Sequence, residues 1–259
     1  MISAKLTRYL PLILLIYLLL PAVAAILNVT PETIAAMYDK ELAESFAISI
    51  SSATVTTGIA ALLGIPLAYF LARNESRWNG FFEAIIVSPI VLPPLVTGLL
   101  LLSIFSPAAL IGSYADEIGL PLTRSFIAIV LAQLAVASPF TIISAKAAFE
   151  EVDTKLEFAS RLMGKSNLET FIRISLPLAK RGIIAGLMMT FVRSVGEFGA
   201  TFMLAYFPKT LPIYLYTSYL GGGIERAAPI ALMLWLLSLL FVAAIRLMGD
   251  GIAGAGKRS

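Results

Sequence analysis

Six stretches of this chain are too long and too uniformly apolar to sit in water. They run approximately Leu10 to Leu27, Phe46 to Leu71, Phe81 to Phe105, Phe126 to Ala148, Gly182 to Phe207 and Ala227 to Met248. A hydrocarbon core about 30 Å thick is crossed by about 20 helical residues rising about 1.5 Å each. Lipid offers no partner to backbone N–H and C=O groups, so a span is a helix unless the chain closes a barrel. A barrel needs polarity that alternates along each strand, and runs such as Leu12 to Leu20 do not alternate. The expected fold class is therefore all-α, a polytopic membrane protein with six transmembrane helices forming one domain over residues 1–259. Of the 259 residues, 59% are apolar and 14% charged, against roughly half and a quarter in a soluble domain. The first span also fits a cleavable signal peptide, because Lys5 and Arg8 precede its apolar run and Ala22, Val23 and Ala24 follow it.

Two absences narrow the chemistry. With no cysteine there is no disulfide framework, thiolate metal site or cysteine nucleophile, and with no histidine there is no imidazole base or haem ligand. No cofactor is expected in this chain. Orientation follows from basic residues in the connections. With both termini inside, the inner segments hold Lys5, Arg8, Arg73, Arg77, Lys146, Lys155, Arg161, Lys165, Arg173, Lys180, Arg181, Arg246, Lys257 and Arg258, fourteen of the 19. The outer loops hold Lys40, Arg124, Lys209 and Arg226, and Glu32, Asp39, Glu41 and Glu44 make the first of them negative. The chain is thus expected in the cell membrane, multi-pass, with cytoplasmic termini.

The largest inner loop, residues 149–181, has a helical rhythm from Val152 to Met163, a break at Gly164, a second short helix from about Asn167 to Ile174 and a stop at Pro177. Phe158, Leu162, Met163, Leu168 and Phe171 are too apolar for a loop that meets only water. The loop reads either as a solvated connection or as a docking knob for a soluble partner. Ala159 to Ser166 imitates a phosphate loop, Ala-x-x-x-x-Gly-Lys-Ser. A true one follows a buried strand, whereas Glu150 to Glu157 carries five charges in eight positions.

Here the chain resembles the cytoplasmic signature of ABC importer permeases: Glu-Ala-Ala, three residues, Gly, nine residues, then Ile-x-Leu-Pro. Gly164 is followed by nine residues and then Ile174, Ser175, Leu176 and Pro177. The first half departs, since Phe158, Ala159 and Ser160 stand on the Glu-Ala-Ala positions and the glutamate comes one place earlier, at Glu157. In the signature the glutamate is expected to help anchor the loop to its partner, and here Phe158 stands in its place. The stretch Arg193 to Ala200, the run Ala205 to Pro208 and the six-span plan are similar to permeases for tetrahedral oxyanions, most of all molybdate/tungstate permeases, with sulfate permeases as near relatives.

The resemblance implies the type I importer permease fold and a homodimer with a second copy of this chain. It also implies two ABC ATPase subunits that bind the ATP and Mg, an external oxyanion-binding protein that delivers cargo, and surrounding membrane lipid. It implies no nucleic acid. The coupling loop would be carried by Glu157, Phe158, Ala159, Ser160, Leu162, Met163, Gly164, Ile174, Leu176 and Pro177, with no catalytic residue and no metal.

Arg193 and Glu197 are the only charges placed deep in a span. If the fifth helix starts near Gly182, Arg193 lies about 16 Å along it, near the midplane. Each charge there costs at least about 2.5 kcal/mol and needs a partner, and a spacing of four puts the two on one helix face. They read as an internal salt bridge, as a pair across the dimer axis, or as a weak positive potential offered to a passing dianion and restrained by the glutamate. Pro89, Pro93 and Pro94 remove donors from the third span, which makes it a kinked helix beside the pore or a packing kink, with Ser88 and Thr97 as candidate pore hydroxyls. Gln133, Ser138 and Pro139 admit the same two readings. Gly182, Gly186, Gly196 and Gly199 suit close helix packing, and Thr217 to Arg226, with three glycines in a row, is expected to be a flexible outer loop. Two other classes remain open at this point. An ion-coupled secondary carrier would show internal repeats, which are not evident, and a membrane enzyme for lipid phosphates would use a carboxylate cluster such as Glu150, Glu151 and Asp153.

Overall fold

The computed structural model describes residues 4–31, 39–74 and 76–255, with side chains at residues 11–31, 39–74 and 76–243. The side chains of Lys5, Arg8, Glu32, Arg246, Lys257 and Arg258, used above for orientation, lie outside these limits.

Helix α1 (Ala4–Leu27) carries Pro11 and Pro21. Leu12 to Leu20 are all exposed, as a lipid-facing surface requires. Helix α2 (Lys40–Ile59) starts at Asp39, whose carboxylate accepts the Glu41 N–H at 3.1 Å. It passes through a π turn (Ala60–Gly64) into α3 (Ile65–Arg73) without leaving the axis. Helices α4 (Asn79–Val91) and α5 (Pro94–Phe105) meet at 112°. The cause is local: Pro93 and Pro94 have no N–H to give, and each pushes the residue before it into extended backbone, as at Leu92 (ψ 138°) and Pro93 (ψ 130°). The expected kink is therefore a full break. Helix α6 (Leu110–Glu117) is short, and α7 (Phe126–Glu150) starts at Ser125, whose hydroxyl accepts the Ala128 N–H at 3.1 Å.

Helices α8 (Thr154–Leu162) and α9 (Asn167–Thr170) form the expected elbow. Helix α9 does not stop at Pro177. It runs through a second π turn (Phe171–Ser175) into α10 (Leu176–Val195), making one apolar rod from Asn167 to Val195. The reason is the wide turn, in which the Leu176 N–H reaches back five residues to the Phe171 carbonyl. That extra residue gives the Pro177 ring room and removes the need for its missing donor. Pro66 follows the first π turn at the same offset, so the chain uses one device twice.

The expected fifth span, Gly182 to Phe207, is displaced accordingly. Its helix ends at Val195, and α11 (Gly199–Leu204) is a separate short piece. Helix α12 (Leu211–Ala255) begins well before the expected Ala227, so Thr217 to Arg226 is helical rather than a loop, with the glycines supplying a sharp bend at Gly222 and Gly223 (φ 65°). Among the described residues four helices are long and apolar enough to cross a membrane, and the bent pair α4–α5 is a fifth if it counts as one span. The apolar stretch Pro11–Leu27 accompanies them. The expected number of six is reached only by including it.

Helix α7 is the axis of the bundle, packed against α2, α3, α4, α10 and α11. Helices in lipid gain little from hiding apolar surface, so close fit and buried hydrogen bonds must hold them. Ala53, Ala68, Ala128, Ala132 and Ala145 are fully buried and let the backbones approach. A Cβ on Gly186 would lie 2.8 Å from the Ser144 Cβ, so the glycine is needed for that approach. Gln133 Nε2 donates to Ser52 Oγ and to the Ser194 carbonyl, both at 3.0 Å, and its oxygen accepts from Thr56 at 3.0 Å. This settles Gln133 as a packing residue that ties α2, α7 and α10 together. Two apolar clusters flank α7. One joins Leu71, Ile142, Phe149, Val152 and Ile183 beneath the elbow, and the other joins Ile129, Val136, Ala200 and Leu204 beside α11.

Candidate functional site

The elbow is shaped by its caps. Asp153 accepts the Lys155 N–H at 2.9 Å and opens α8. At the other end the Gly164 N–H reaches the Arg161 carbonyl at 2.9 Å and the Lys165 N–H reaches Ser160 at 3.2 Å, the paired bonds of a glycine-closed helix end. Gly164 has φ 83°, and a Cβ there would meet nothing within 4 Å, so only the backbone demands a glycine. Ser166 and Glu169 then form a reciprocal capping box for α9. The Gly-Lys-Ser imitation of a phosphate loop is thus two helix ends, not a nucleotide site.

The two faces of the elbow differ completely. Outward stand Phe158 (60% exposed), Leu162 (88%), Met163 (75%) and Leu168 (66%), with the Arg161 guanidinium over the Phe158 ring at 4.5 Å. Ala159 and Pro177 are exposed as well, and Ile174 and Leu176 are half-buried. Inward lie Glu157, Ser160, Thr170 and Ser175, all buried. Ser160 and Thr170 share a hydrogen bond at 3.0 Å that holds α8 to α9.

Glu157 is held by three residues from two other segments. Arg73 at the end of α3 gives Nη2 to Oε1 at 2.9 Å and Nε to both oxygens at 3.0 and 3.1 Å. Ser175 in the π turn donates to Oε1 at 2.7 Å, and the Tyr69 hydroxyl lies 3.3 Å from Oε2. Arg73 also reaches the Val152 carbonyl at 3.1 Å. Burial pushes the carboxyl up, but the bonds from Arg73, Ser175 and Tyr69 outweigh it and hold the group below the usual carboxylate range. Glu157 is thus turned inward, with both of its oxygens bound by side chains of this chain. Sequence reasoning missed Arg73, Tyr69 and Ser175. Arg73 entered only as an inner positive charge and Ser175 only as the free position of a motif.

The second candidate region is the break after α10. Arg193 and Glu197 form the expected ion pair, Nη1 to Oε2 at 2.5 Å, with Glu197 1% exposed and Arg193 30%. They do not sit on one continuous helix, because α10 has ended at Val195. Glu197 Oε1 accepts the Ala200 N–H at 2.8 Å and so caps the first turn of α11. Helix α11 lies directly on α5: a Cβ on Gly199 would be 2.8 Å from Leu95 N, and one on Gly98 would be 2.8 Å from the Ala200 Cα. Pro93, Pro94 and the buried Thr97 thus share a neighbourhood with Glu197 through α11. Ser88 does not, since it is exposed on α4 and its hydroxyl is turned to the Ile85 carbonyl at 2.9 Å. Of the carboxylates considered as an enzyme cluster, Asp153 caps α8 and Glu150 pairs with Lys146.

Residues 64–253 match the family described as the binding-protein-dependent transport system inner membrane component. The chain is similar to a probable molybdenum ABC transporter permease protein of Haloferax volcanii, 44% identical over 230 residues, covering 88% of this chain and 84% of that protein. It is also similar to a molybdate/tungstate transport system permease protein of Methanocaldococcus jannaschii, 34% identical over 90% of this chain and 92% of that protein. Among solved structures, a bacterial alginate ABC transporter in complex with an alginate-bound periplasmic protein matches with TM-score 0.67 and 17% identity, covering 97% of this chain and 96% of that one. The MetNI methionine ABC transporter in inward-facing conformations matches with TM-score 0.62 and 18% identity, over 83% of this chain and 95% of that one. At that identity the two structures speak to the fold.

Proposed function

This chain belongs to the family of inner-membrane components of binding-protein-dependent transport systems, and from that premise we propose how it works as an ABC importer permease for molybdate or tungstate. Permease subunits of this kind are not enzymes. ATP and Mg are bound by the partner ATPase, two copies of which serve a homodimer of this chain in the lipid bilayer. An external oxyanion-binding protein delivers the cargo. Relatives named for molybdate or tungstate favour those oxyanions over sulfate.

The observation that carries the mechanism is the elbow with its bare apolar crest. Phe158, Leu162, Met163 and Leu168 are carried on a capped, latched scaffold and stand largely exposed. They seat in a groove of the ATPase, and the elbow and both termini lie in the cytosol. When ATP draws two ATPases together, the seated elbows move with them and the packed rods swing as bodies between inward-open and outward-open states. In the translocation path Arg193, still part-exposed, offers positive potential to a dianion, while Glu197 keeps the attraction weak enough for release. The break α4–α5, with Pro93, Pro94 and Thr97 against α11, forms the adjoining gate.

The decisive experiment is co-purification with the ATPase. Leu162→Asp and Gly164→Pro are expected to release it while the spans remain inserted, and retention in both variants refutes docking at the elbow. Arg193→Ala is expected to impair oxyanion uptake in an assembled complex. ATP hydrolysis stimulated by molybdate or tungstate but not by sulfate fixes the cargo, and labelling of Lys165 from outside intact cells would place the elbow on the wrong side.

A further inference from the structure

An elbow that only docks needs an outer face; this one also has a worked inner face. Glu157 stands where three segments meet: the helix α8, the nearby π turn that opens α10, and the end of α3, which is remote in sequence. Its side chain is 4% exposed and that of Arg73 16%. Beneath the pair, the Tyr69 ring packs on Phe149 and Phe171 with centroids 5.2 and 4.8 Å apart. The elbow is covalently continuous with α10, so movement of α8 passes to that rod through the chain itself. Nothing covalent carries it to the α2–α3 rod. Besides the packing of α2 on α7 and α10, the side chains of Arg73 and Tyr69 join the elbow itself directly to that rod, and a bidentate guanidinium–carboxylate pair fixes direction as well as distance.

We infer that Arg73 and Glu157 are positioning residues that make the α2–α3 rod follow the elbow, so that each ATP-driven movement displaces both rods together. The inference rests on the docking of the ATPase at the outer face, and it predicts a separable defect. Glu157→Gln keeps an acceptor for Ser175 and Arg73 but removes the charge. Its complex is expected to retain the ATPase and to hydrolyse ATP, while oxyanion taken up per ATP falls about tenfold, within the range by which such links tune coupling. The double variant Arg73→Met/Glu157→Leu guards against a folding artefact, because an apolar pair of similar volume leaves no stranded charge. It is expected to be at least as heat-stable as the wild type and still uncoupled, whereas Arg73→Lys recovers part of the ratio.

The outcomes divide cleanly. An unchanged ratio of uptake to hydrolysis in Glu157→Gln and in the double variant overturns the latch, even where total uptake falls with complex yield. Retention of the ATPase by Leu162→Asp overturns the docking reading and the latch with it. Release by Leu162→Asp together with an unchanged ratio in Glu157→Gln removes the latch alone.

Discussion

Two buried glutamates, each paired with an arginine, divide the labour of this molecule. Glu157 under the elbow is boxed in: both oxygens are occupied, by Arg73, Ser175 and Tyr69, and its arginine is nearly as buried as itself. Glu197 in the break after α10 is fixed from one side by the Ala200 amide, while its partner Arg193 remains 30% exposed. The first arrangement has no slack and fastens segments far apart in sequence. The second anchors the acid and leaves the base able to turn toward something else. The same pair of residue types therefore makes a fastener in one place and an adjustable charge in the other, and the difference lies in how many neighbours hold each oxygen.

The contrast is sharpest in stability. Glu157→Ala strands a guanidinium that is nearly buried and should cost about 3–5 kcal/mol, measured as a fall in the unfolding midpoint of the purified chain. The same contribution depends on pH. A carboxyl held below its ordinary range stabilises fully at neutral pH and loses that stabilisation as pH falls through the ordinary value to the folded one. The gap between wild type and Glu157→Gln should accordingly close on acidification.

Glu197→Ala should cost less, about 2 kcal/mol for the lost charge-assisted bond to Ala200, since Arg193 is already 30% exposed. A larger loss than at Glu157 would invert the comparison. Gly164→Ala places a Cβ in open space on a backbone at φ 83° and should cost about 1 kcal/mol, which separates the shape of the elbow from its latch. Leu162→Asp should stay within about 0.5 kcal/mol of wild type while releasing the ATPase, because its side chain is 88% exposed. A large loss of stability there would mean that the crest packs on this chain and is not free to dock.

Much of this was legible beforehand. Apolar run length announced the spans, the glycine and the helical rhythm on either side of it announced the elbow, and the spacing of Arg193 and Glu197 announced their pairing. Pro177 and Thr217 to Arg226 misled for one reason: proline and glycine report local strain but not how the backbone relieves it. A π turn absorbed the one, and a bend inside a continuing helix absorbed the other.

Sequence alone determined what depends on neighbours along the chain. That covers which segments are too apolar for water, where a glycine breaks the elbow, and which residues lie a turn apart, because these follow from the solvent and from bonds within a few residues. Only the tertiary structure decided that Glu157 turns inward to Arg73, 84 positions away, and that α11 seats against the broken span at Gly98 and Gly199. Those outcomes depend on which rods lie side by side, and close packing sets that through many small contacts of which no single residue carries a readable sign.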